Sequence, residues 1–292
     1  MQIRGPGGVE DDPARLCRRT FSIRNPQSEI DLMLLGEPAP TQADLHFRAF
    51  GIPVRVHPFF WIVSLLLGMG GGQADPLQTL IWVAVVFVSI LVHELGHGFL
   101  QRYYGGRPWI TLYSFGGLAS CDDCDRSPRP QILISLAGPA AGFLLAAVVV
   151  AAVWLSGHAI GFAASQENID LAVLGLERLL IQPLAAFVAY FQPYESQPLN
   201  FVIADLLQVN ILWGLINLLP IYPLDGGRIA RELFTLRYPR QGIVQSLQLS
   251  AGVAVLVAAY ALLNQRIFMC LLFGFLAYGS FQTLQTYRGG WR

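Results

Sequence analysis

Two histidines and a glutamate stand in the pattern His93-Glu94-x-x-His97, inside a stretch that otherwise looks like a membrane-spanning helix. Residues four apart lie on one face of a helix, so both imidazoles can bind one zinc ion with Glu94 beside them as a base. Glu94 is the only acidic or basic residue between positions 77 and 101. A charge near the centre of a bilayer costs roughly 2.5–3.5 kcal/mol, so it is expected to face protein, water or a metal. The pattern predicts a zinc hydrolase site at membrane depth.

A third metal ligand is expected, because a catalytic zinc keeps three protein ligands and an open position for water. Asp225 is an isolated carboxylate in an apolar segment that contains Pro220 and Pro223 and continues with two glycines. Prolines break a helix and glycines permit a tight turn, so this carboxylate can be turned towards the metal. We predict one zinc ion per chain, bound by His93, His97 and Asp225.

The chain is far too apolar for an ordinary soluble domain. Of its 292 residues 54% are hydrophobic and 13% are charged, against about 25% charged in soluble domains. Acidic and basic residues balance to a net charge of zero, which gives no support to nucleic-acid binding. We therefore predict a multi-pass integral membrane protein that contacts the lipid bilayer and no nucleic acid.

The elements that must position the metal ligands are mostly transmembrane helices. We expect a polar tail over residues 1–45 and an all-α membrane domain over 46–292 with about six spans, each near the ~20 residues that a bilayer requires. The residues between the third and fourth spans include charges and a proline at 170–192, which favours an interfacial or re-entrant helix over a full span. The six spans are expected at about 57–72, 77–101, 131–156, 199–219, 242–263 and 267–287.

A small β element is expected beside the metal motif. Residues 109–119 alternate in polarity around Gly116 and Gly117, which indicates a hairpin with a glycine turn, or a kinked strand. An exposed strand there could capture an extended substrate segment by strand addition. Residues 47–56 are also rich in strand formers, although Pro53 should keep this segment out of the centre of a sheet.

Arginine placement predicts the orientation in the membrane. Arginines are concentrated before the first span, after the second and fourth spans, and at the C-terminus. Basic residues are enriched in cytoplasmic loops, and an even number of spans puts both termini on one side. We therefore expect both termini at the cytoplasmic face, together with the metal motif at the end of the second span and Asp225 at the exit of the fourth.

The two metal motifs together resemble the site-2 protease family of intramembrane zinc metalloproteases. His-Glu-Leu-Gly-His at 93–97 is followed by Asn-x-x-Pro-x-x-Pro-Leu-Asp-Gly-Gly at 217–227, and Ser-Leu-Ala-Gly-Pro at 135–139 is similar to bacterial members. The resemblance implies a protease of a bacterial cell membrane that hydrolyses a peptide bond within or near the transmembrane segment of a membrane-protein substrate, in regulated intramembrane proteolysis. It also implies zinc at the three predicted ligands and Glu94 as the general base.

One position departs from the family pattern. Many members have an asparagine three residues after the proline of the third span, where it is thought to help hold the substrate or the oxyanion, and this chain has Gly142. The role would pass to Asn217 or Asn210, or be absent. The loop at 157–198 is shorter than the ~50 residues of a small domain, so we expect a minimal protease core without a PDZ or CBS domain.

Two other functions stay open at this stage. A transporter-like protein would carry charged residues on several helices at the same depth in the membrane, whereas here they are concentrated in the residues of one predicted zinc site. A catalytically idle scaffold with a structural metal would be favoured by a broken metal motif, which is intact here. The sequence leaves open the substrate, a regulator and the oligomeric state.

Cys121 and Cys124 form a lone Cys-x-x-Cys. A structural zinc requires four ligands, and the chain has no second pair. We therefore expect an exposed, reduced loop, with redox activity or accessory metal binding as the alternative.

Overall fold

Seven helices and seven strands make up the part of the chain that this computed structural model describes, which is residues 37–69, 75–114, 116–164, 177–179 and 187–289. In chain order, the helices are α1 (Pro58–Gly68), α2 (Pro76–Tyr103), α3 (Pro128–Leu155), α4 (Gln197–Asn217), α5 (Asp225–Arg237), α6 (Gly242–Leu263) and α7 (Ile267–Gly289). The strands are β1 (Leu45–Ala49), β2 (Ile52–Val56), β3 (Trp109–Tyr113), β4 (Gly116–Ser120), β5 (Ile160–Ala164), β6 (Glu177–Leu179) and β7 (Phe187–Phe191).

Among the described helices, five are long and apolar enough to cross a membrane: α2, α3, α4, α6 and α7. They coincide within a few residues with the second to sixth spans expected from the sequence. A run of about 20 apolar residues has few alternatives to a helix in a bilayer, because every backbone polar group must be satisfied within the segment. The chain is a multi-pass membrane protein.

The first expected span, at 57–72, is not confirmed as a full crossing helix, and its residues 70–72 lie outside the described residues. Helix α1 has 11 residues, so at 1.5 Å per residue it reaches only about 16 Å, against a hydrocarbon core of about 30 Å. It packs along the first half of α2, where the ring of Phe60 meets that of Phe87 at 6.2 Å. The second half of α2 is covered instead by the sheet, since Gly98 lies against the side chain of Ile52. A sheet thus lies beside the part of α2 that carries the metal motif.

That sheet has the strand order β1-β2-β3-β4, with β2 and β3 parallel and the other pairs antiparallel. Its buried side chains form one cluster with residues of α1 and α2. The hairpin expected over 109–119 is confirmed, but both glycines lie on β4 rather than in the turn. The most buried members of the cluster are Val56, Ile110 and Leu112, all with no exposed surface.

Strand β2 is an inner strand, so the expectation that Pro53 would exclude it from the sheet centre is wrong. The N–H of His57 donates to Leu112 of β3, which shows that alternate residues of β2, Pro53 included, direct their peptide groups towards β3. Pairing between β2 and β3 begins only at Val54 with Ile110. The proline therefore lies just before the first ladder bond, where its missing N–H costs nothing.

The segment after α3 forms a second, three-stranded sheet with the order β5-β7-β6. Over its described parts, 177–179 and 187–191, the chain is extended, so the interfacial helix expected at 170–192 is wrong there; the other residues of that range lie outside the described residues. Phe191 of β7 is 1% exposed and packs in a cluster with Val153 of α3 and Ile203 of α4. The second sheet therefore packs, through β7, against the C-terminal end of α3 and the N-terminal part of α4.

Residues just before β1 are bound to the first sheet through Arg55. Its guanidinium lies 3.1 Å from the carboxylate of Asp44 and donates to the carbonyl of Pro38 at 2.8 Å. The pKa of Asp44 is lowered to about 2, first by the hydrogen bond from the Thr41 hydroxyl and further by Arg55. The rest of the expected tail, residues 1–36, lies outside the described residues.

Helices α2 and α3 are in close contact at Gly96, within the metal motif. An added Cβ at Gly96 would overlap the backbone carbonyl of Ala137 and lie 2.9 Å from the Cβ of Ala141. Small residues at such crossings allow helix backbones in membranes to pack directly against each other. This contact holds the metal motif of α2 against α3.

Substitution of Gly96 by alanine should therefore separate the two helices and lower the free energy of unfolding by about 1–3 kcal/mol, the range for overpacked cores. Unfolding in detergent micelles, followed by circular dichroism, measures the effect. Gly252→Ala on α6 is the matched control, because its added methyl group would meet no atom within 4 Å. Equal stability of the two variants would contradict the close crossing.

Candidate metal centre

Three side chains from two distant parts of the chain converge at the C-terminal half of α2. The Nε2 atoms of His93 and His97 lie 3.2 Å apart, and they lie 3.1 Å and 3.4 Å from Oδ2 of Asp225. All three residues are buried, with 3%, 6% and 6% of their surface exposed. Within the described ranges, they are the one group of histidine, cysteine, aspartate or glutamate side chains that could hold a metal ion.

The geometry of these donor atoms fits zinc. Ligand bonds of about 2.0–2.1 Å at tetrahedral angles place neighbouring ligand atoms about 3.3 Å apart. The three measured separations, 3.1, 3.2 and 3.4 Å, lie close to that edge length. Two imidazoles and one carboxylate also form a donor set of the kind found in catalytic zinc sites, which leave a fourth position open.

His97 is held in the tautomer that a metal requires. Its Nδ1–H donates to the backbone carbonyl of Ile134 on α3 at 2.6 Å, so in the neutral ring it is Nε2 that carries the lone pair. Such second hydrogen bonds orient ligating histidines and raise their basicity. One turn further along α3, Gly138 faces both imidazoles, and an added Cβ there would overlap Nε2 of His97. Helix α3 therefore contributes an acceptor and the space that the two rings occupy.

Asp225 reaches the histidines because the chain turns sharply between α4 and α5. Helix α4 ends at Asn217 and α5 begins at Asp225, after a loop that contains both prolines. The two glycines after Asp225 pack against the backbone of this loop. An added Cβ on Gly226 would overlap the backbone of Leu218 and Leu219, and an added Cβ on Gly227 would overlap that of Ile221. The Pro, Asp and Gly pattern thus folds the loop onto the first turn of α5.

Glu94 is buried beside the ligands, with 5% of its surface exposed. Strand β4 passes directly over it, since an added Cβ on Gly117 would overlap Cγ of Glu94 and lie 2.6 Å from its Oε1. This position in β4 must be a glycine for the glutamate to keep its place. Sequence reasoning noted the glycine pair only as a turn and missed its contact with the glutamate.

An open edge of the sheet lies at the same place, because β4 is the last strand in the sheet order and pairs with no other described strand on its outer side. Residues 110 and 112 of β3 direct their peptide groups towards β2, as the bond from His57 to the Leu112 carbonyl shows. By the antiparallel alternation, their partners on β4, Ala119 and Gly117, direct their own peptide groups to the open edge. Nε2 of Gln101 donates to the Ala119 carbonyl at 3.1 Å, which leaves the peptide groups of Gly117 facing the edge.

Asn210 of α4 faces Gly142 of α3, the position at which the family pattern has an asparagine. It is 3% exposed on α4, and its Oδ1 would lie 3.5 Å from a Cβ on Gly142 of α3. Its Nδ2 donates to the hydroxyl of Ser89, one turn before His93, and to the carbonyl of Leu206. Both amide protons are therefore engaged, one in a bond that braces α4 against α2 and one in a bond within α4.

Asn217, at the end of α4, is 7% exposed. Its Nδ2 donates to the carbonyl of Trp213 at 3.0 Å, one turn back on its own helix. The amide group has two protons, so a second one remains to donate. The indole of Trp213 packs against Gly116 at the start of β4, which links the end of α4 to the strand over Glu94.

Cys121 and Cys124 form a disulfide, so the expected reduced loop is wrong. Both sulfur atoms pack against Gly106, where an added Cβ would overlap them. The exposed carboxylate of Asp123 between them pairs with Arg107, and the hydrogen bond from Arg107 holds the pKa of this carboxyl below its usual range. A Cys-x-x-Cys spacing suits a disulfide, free thiols or a metal equally, and spacing alone does not decide among them.

The sequence profile of peptidase family M50 matches residues 81–259, which contain α2 to α6 almost completely and both halves of the metal centre. The chain belongs to peptidase family M50. A solved site-2 protease from Methanocaldococcus jannaschii has the same fold, with a TM-score of 0.51 at 23% identity over 82% of this chain and 95% of that one.

Three curated relatives resemble this M50 chain, and two of them carry the name zinc metalloprotease. It is 24% identical to a zinc metalloprotease of Methanocaldococcus jannaschii, over 81% of this chain and 59% of the relative. It is 26% identical to stage IV sporulation protein FB of Bacillus subtilis, over 79% of this chain and 66% of the relative. It is 28% identical to the putative zinc metalloprotease Rip3 of Mycobacterium tuberculosis, over 65% of this chain and 43% of the relative. This M50 chain thus spans less than two thirds of the length of each.

Replacement of Gly138 by alanine should disable the metal centre of this M50 chain while leaving α3 helical. The added methyl group would overlap the imidazole of His97, so both rings must move and zinc affinity should fall by more than about 100-fold, the upper end for loss of a supporting group. Metal content per chain after equilibrium dialysis against buffered zinc measures the effect. Gly252→Ala should bind zinc as the wild type does, and full zinc occupancy in Gly138→Ala would contradict the site.

Proposed function

We propose that this chain is an intramembrane zinc metalloprotease that hydrolyses a peptide bond within or near a transmembrane segment of a membrane-protein substrate, as in regulated intramembrane proteolysis. The observation that carries the proposal is the buried triangle of His93, His97 and Asp225 with Glu94 beside it, under an open strand edge. Family membership and the relatives named zinc metalloproteases support the same chemistry. Residues 46–292 would form the protease domain.

The residues of the site divide the chemical work. His93, His97 and Asp225 would hold zinc, which, when bound, lowers the pKa of a water molecule and polarises the scissile carbonyl. Glu94 accepts the proton of that water as the carbonyl is attacked, and returns it to the amine that leaves. Burial of the carboxylate excludes bulk water, which strengthens each of these electrostatic interactions.

The substrate must be extended at the cut, because a helix buries its peptide groups in its own hydrogen bonds. We propose that β4 captures the unwound segment as an additional strand, through the peptide groups of Gly117. Gln101 already occupies the edge carbonyl of Ala119, so it limits where the added strand can pair. An added strand that pairs with Gly117 would lie about 4.8 Å to the side of β4 and so next to Glu94, since the glycine and the carboxylate are in contact.

Of the two asparagines, Asn217 is the better candidate to steady the substrate or the oxyanion. Its second amide proton is available, whereas both amide protons of Asn210 are engaged with Ser89 and Leu206. Asn210 then acts as a brace in the space beside Gly142. Hydrogen-bond donors aimed at a developing oxyanion contribute several kcal/mol to the rate in acyl-transfer enzymes, roughly 2.7–4 kcal/mol for one donor.

We propose that the active site lies at the cytoplasmic face of a bacterial cell membrane, and the arginine distribution supports the cytoplasmic side. Arg102 and Arg107 follow the metal motif directly, and Arg228 and Arg231 follow Asp225. Both ends of the site are therefore next to basic residues, as expected for a cytoplasmic boundary. Strand β2 and helix α1 would together make the first crossing of the membrane. The number of crossings then stays even, so both termini lie on the cytoplasmic side.

The substitution Glu94→Gln tests the chemistry. It keeps the shape of the side chain but removes the base, so cleavage should fall by about 10²–10⁴-fold while zinc stays bound. Purified protein in detergent, with a panel of single-span substrates and metal analysis, provides both measurements. Undiminished cleavage by this variant would exclude the base role of Glu94, and zinc binding without any cleavage by the wild type would favour the idle scaffold instead.

The substitution Gly117→Ala tests strand capture. The added methyl group would displace the carboxylate of Glu94 and lift the edge of β4, so cleavage of a transmembrane substrate should fall by at least about tenfold. Zinc content should stay unchanged, because the three atoms nearest to the added group all belong to Glu94 and not to a metal ligand. Gly252→Ala should cleave normally. Wild-type cleavage rates in Gly117→Ala would exclude close passage of the substrate at this position.

A further inference from the structure

Helices α6 and α7 supply none of the metal ligands, yet they bind the loop that carries Asp225. The backbone N–H of Tyr222 donates to the hydroxyl of Ser250 on α6 at 2.7 Å. The hydroxyl of Ser280 on α7 donates to the backbone carbonyl of the same tyrosine at 3.3 Å. The two serine hydroxyls lie 2.7 Å apart. Both peptide groups of Tyr222 are thus held by one pair of serines.

The proton positions in this cycle follow from the chemistry of its members. A carbonyl only accepts, so Ser280 uses its proton on the Tyr222 carbonyl. Ser250 must therefore donate to Ser280, and its lone pair accepts the Tyr222 N–H. Every donor in the cycle has one acceptor, which makes it a closed and fully satisfied network. Such networks specify one arrangement, because any displaced member leaves a buried polar group unpaired.

The two serines of the cycle are buried away from solvent and lipid. Ser250 and Ser280 are each 1% exposed, and Ile221 beside them has no exposed surface. The prolines of the loop interrupt helical bonding, so its peptide groups require other partners at membrane depth. The two hydroxyls supply these partners at Tyr222, three residues before Asp225.

The position of Tyr222 is transmitted to Asp225 through short contacts. The N–H of Leu224 donates to the Ile221 carbonyl at 2.8 Å, which closes a tight turn just before the ligand. Gly227 packs so closely that an added Cβ would lie 2.5 Å from the Tyr222 nitrogen. The first turn of α5 therefore rests on the same peptide group that the serines hold.

We propose that Ser250 and Ser280 are positioning residues for the metal centre: by clamping Tyr222 they fix Asp225 at the distance from His93 and His97 that zinc requires. This inference rests on the metal site of the proposed function and assigns a role to the last two spans in it. Groups that support a ligand from behind typically change metal affinity by about 10–100-fold when removed. Loss of either hydroxyl should act in that range.

Cobalt binding tests the proposal without a proteolysis assay. Full-length wild type, Ser250→Ala and Ser280→Ala are stripped of metal in detergent and titrated with Co²⁺, whose visible absorption reports the ligand geometry. We expect the dissociation constant of each variant to rise about 10–100-fold and the absorption bands to shift. Unfolding of the metal-free proteins is measured in parallel. Ser280→Ala is the milder variant, because it leaves the bond between Tyr222 and Ser250 intact.

Two hydroxyls on the same helices are matched controls. Ser246 on α6 and Thr283 on α7 are 4% and 5% exposed, but each donates to a carbonyl of its own helix, at Ile243 and Gly279. Their alanine variants should keep wild-type cobalt affinity and absorption. If the Ser250 and Ser280 variants match these controls in both readouts, this inference is overturned alone. If the wild type binds no cobalt, the metal site of the proposed function is overturned with it.

Discussion

Polar groups at membrane depth must find their partners inside the protein, and this constraint organises the metal centre and the described elements next to it around one face of α2. Along that face His93 and His97 meet Asp225, the second nitrogen of His97 meets the Ile134 carbonyl, and Gln101 meets a carbonyl of β4. Each partner comes from a different element. The arrangement of α3, α5 and the first sheet around α2 therefore follows from the need to satisfy a few polar side chains in an apolar medium.

Small residues let these elements come close enough. Gly96 brings α2 against α3, Gly138 leaves room for the imidazoles, and Gly117 leaves room for Glu94 under β4. Packing rather than the hydrophobic effect drives association between helices in lipid, so the distance of closest approach decides which contacts form. The same property makes the site sensitive to a single added methyl group.

The site combines a rigid helix pair with two irregular segments, the strand edge of β4 and the broken loop before α5. Irregular backbone is tolerated at membrane depth where protein covers it or where it lines a cavity. Here α1 and the sheet cover one side, and the serines of α6 and α7 hold the loop on the other. The last two spans thus belong to the site through the backbone of Tyr222, although they present no ligand to the metal.

The sequence by itself determined five membrane helices and the residues that could bind zinc, because both depend on local patterns. An apolar run of about 20 residues predicts a helix, and the spacing of His93 and His97 puts both on one face. Tertiary structure decided what depends on contacts between distant residues. Helix α1, which lies beside the sheet, has only 11 residues, and Cys121 and Cys124 form a disulfide. Asn210 is hydrogen-bonded to Ser89, and Asp225 lies next to the histidines. Packing between separate elements sets these distances, so the sequence pattern could not give them.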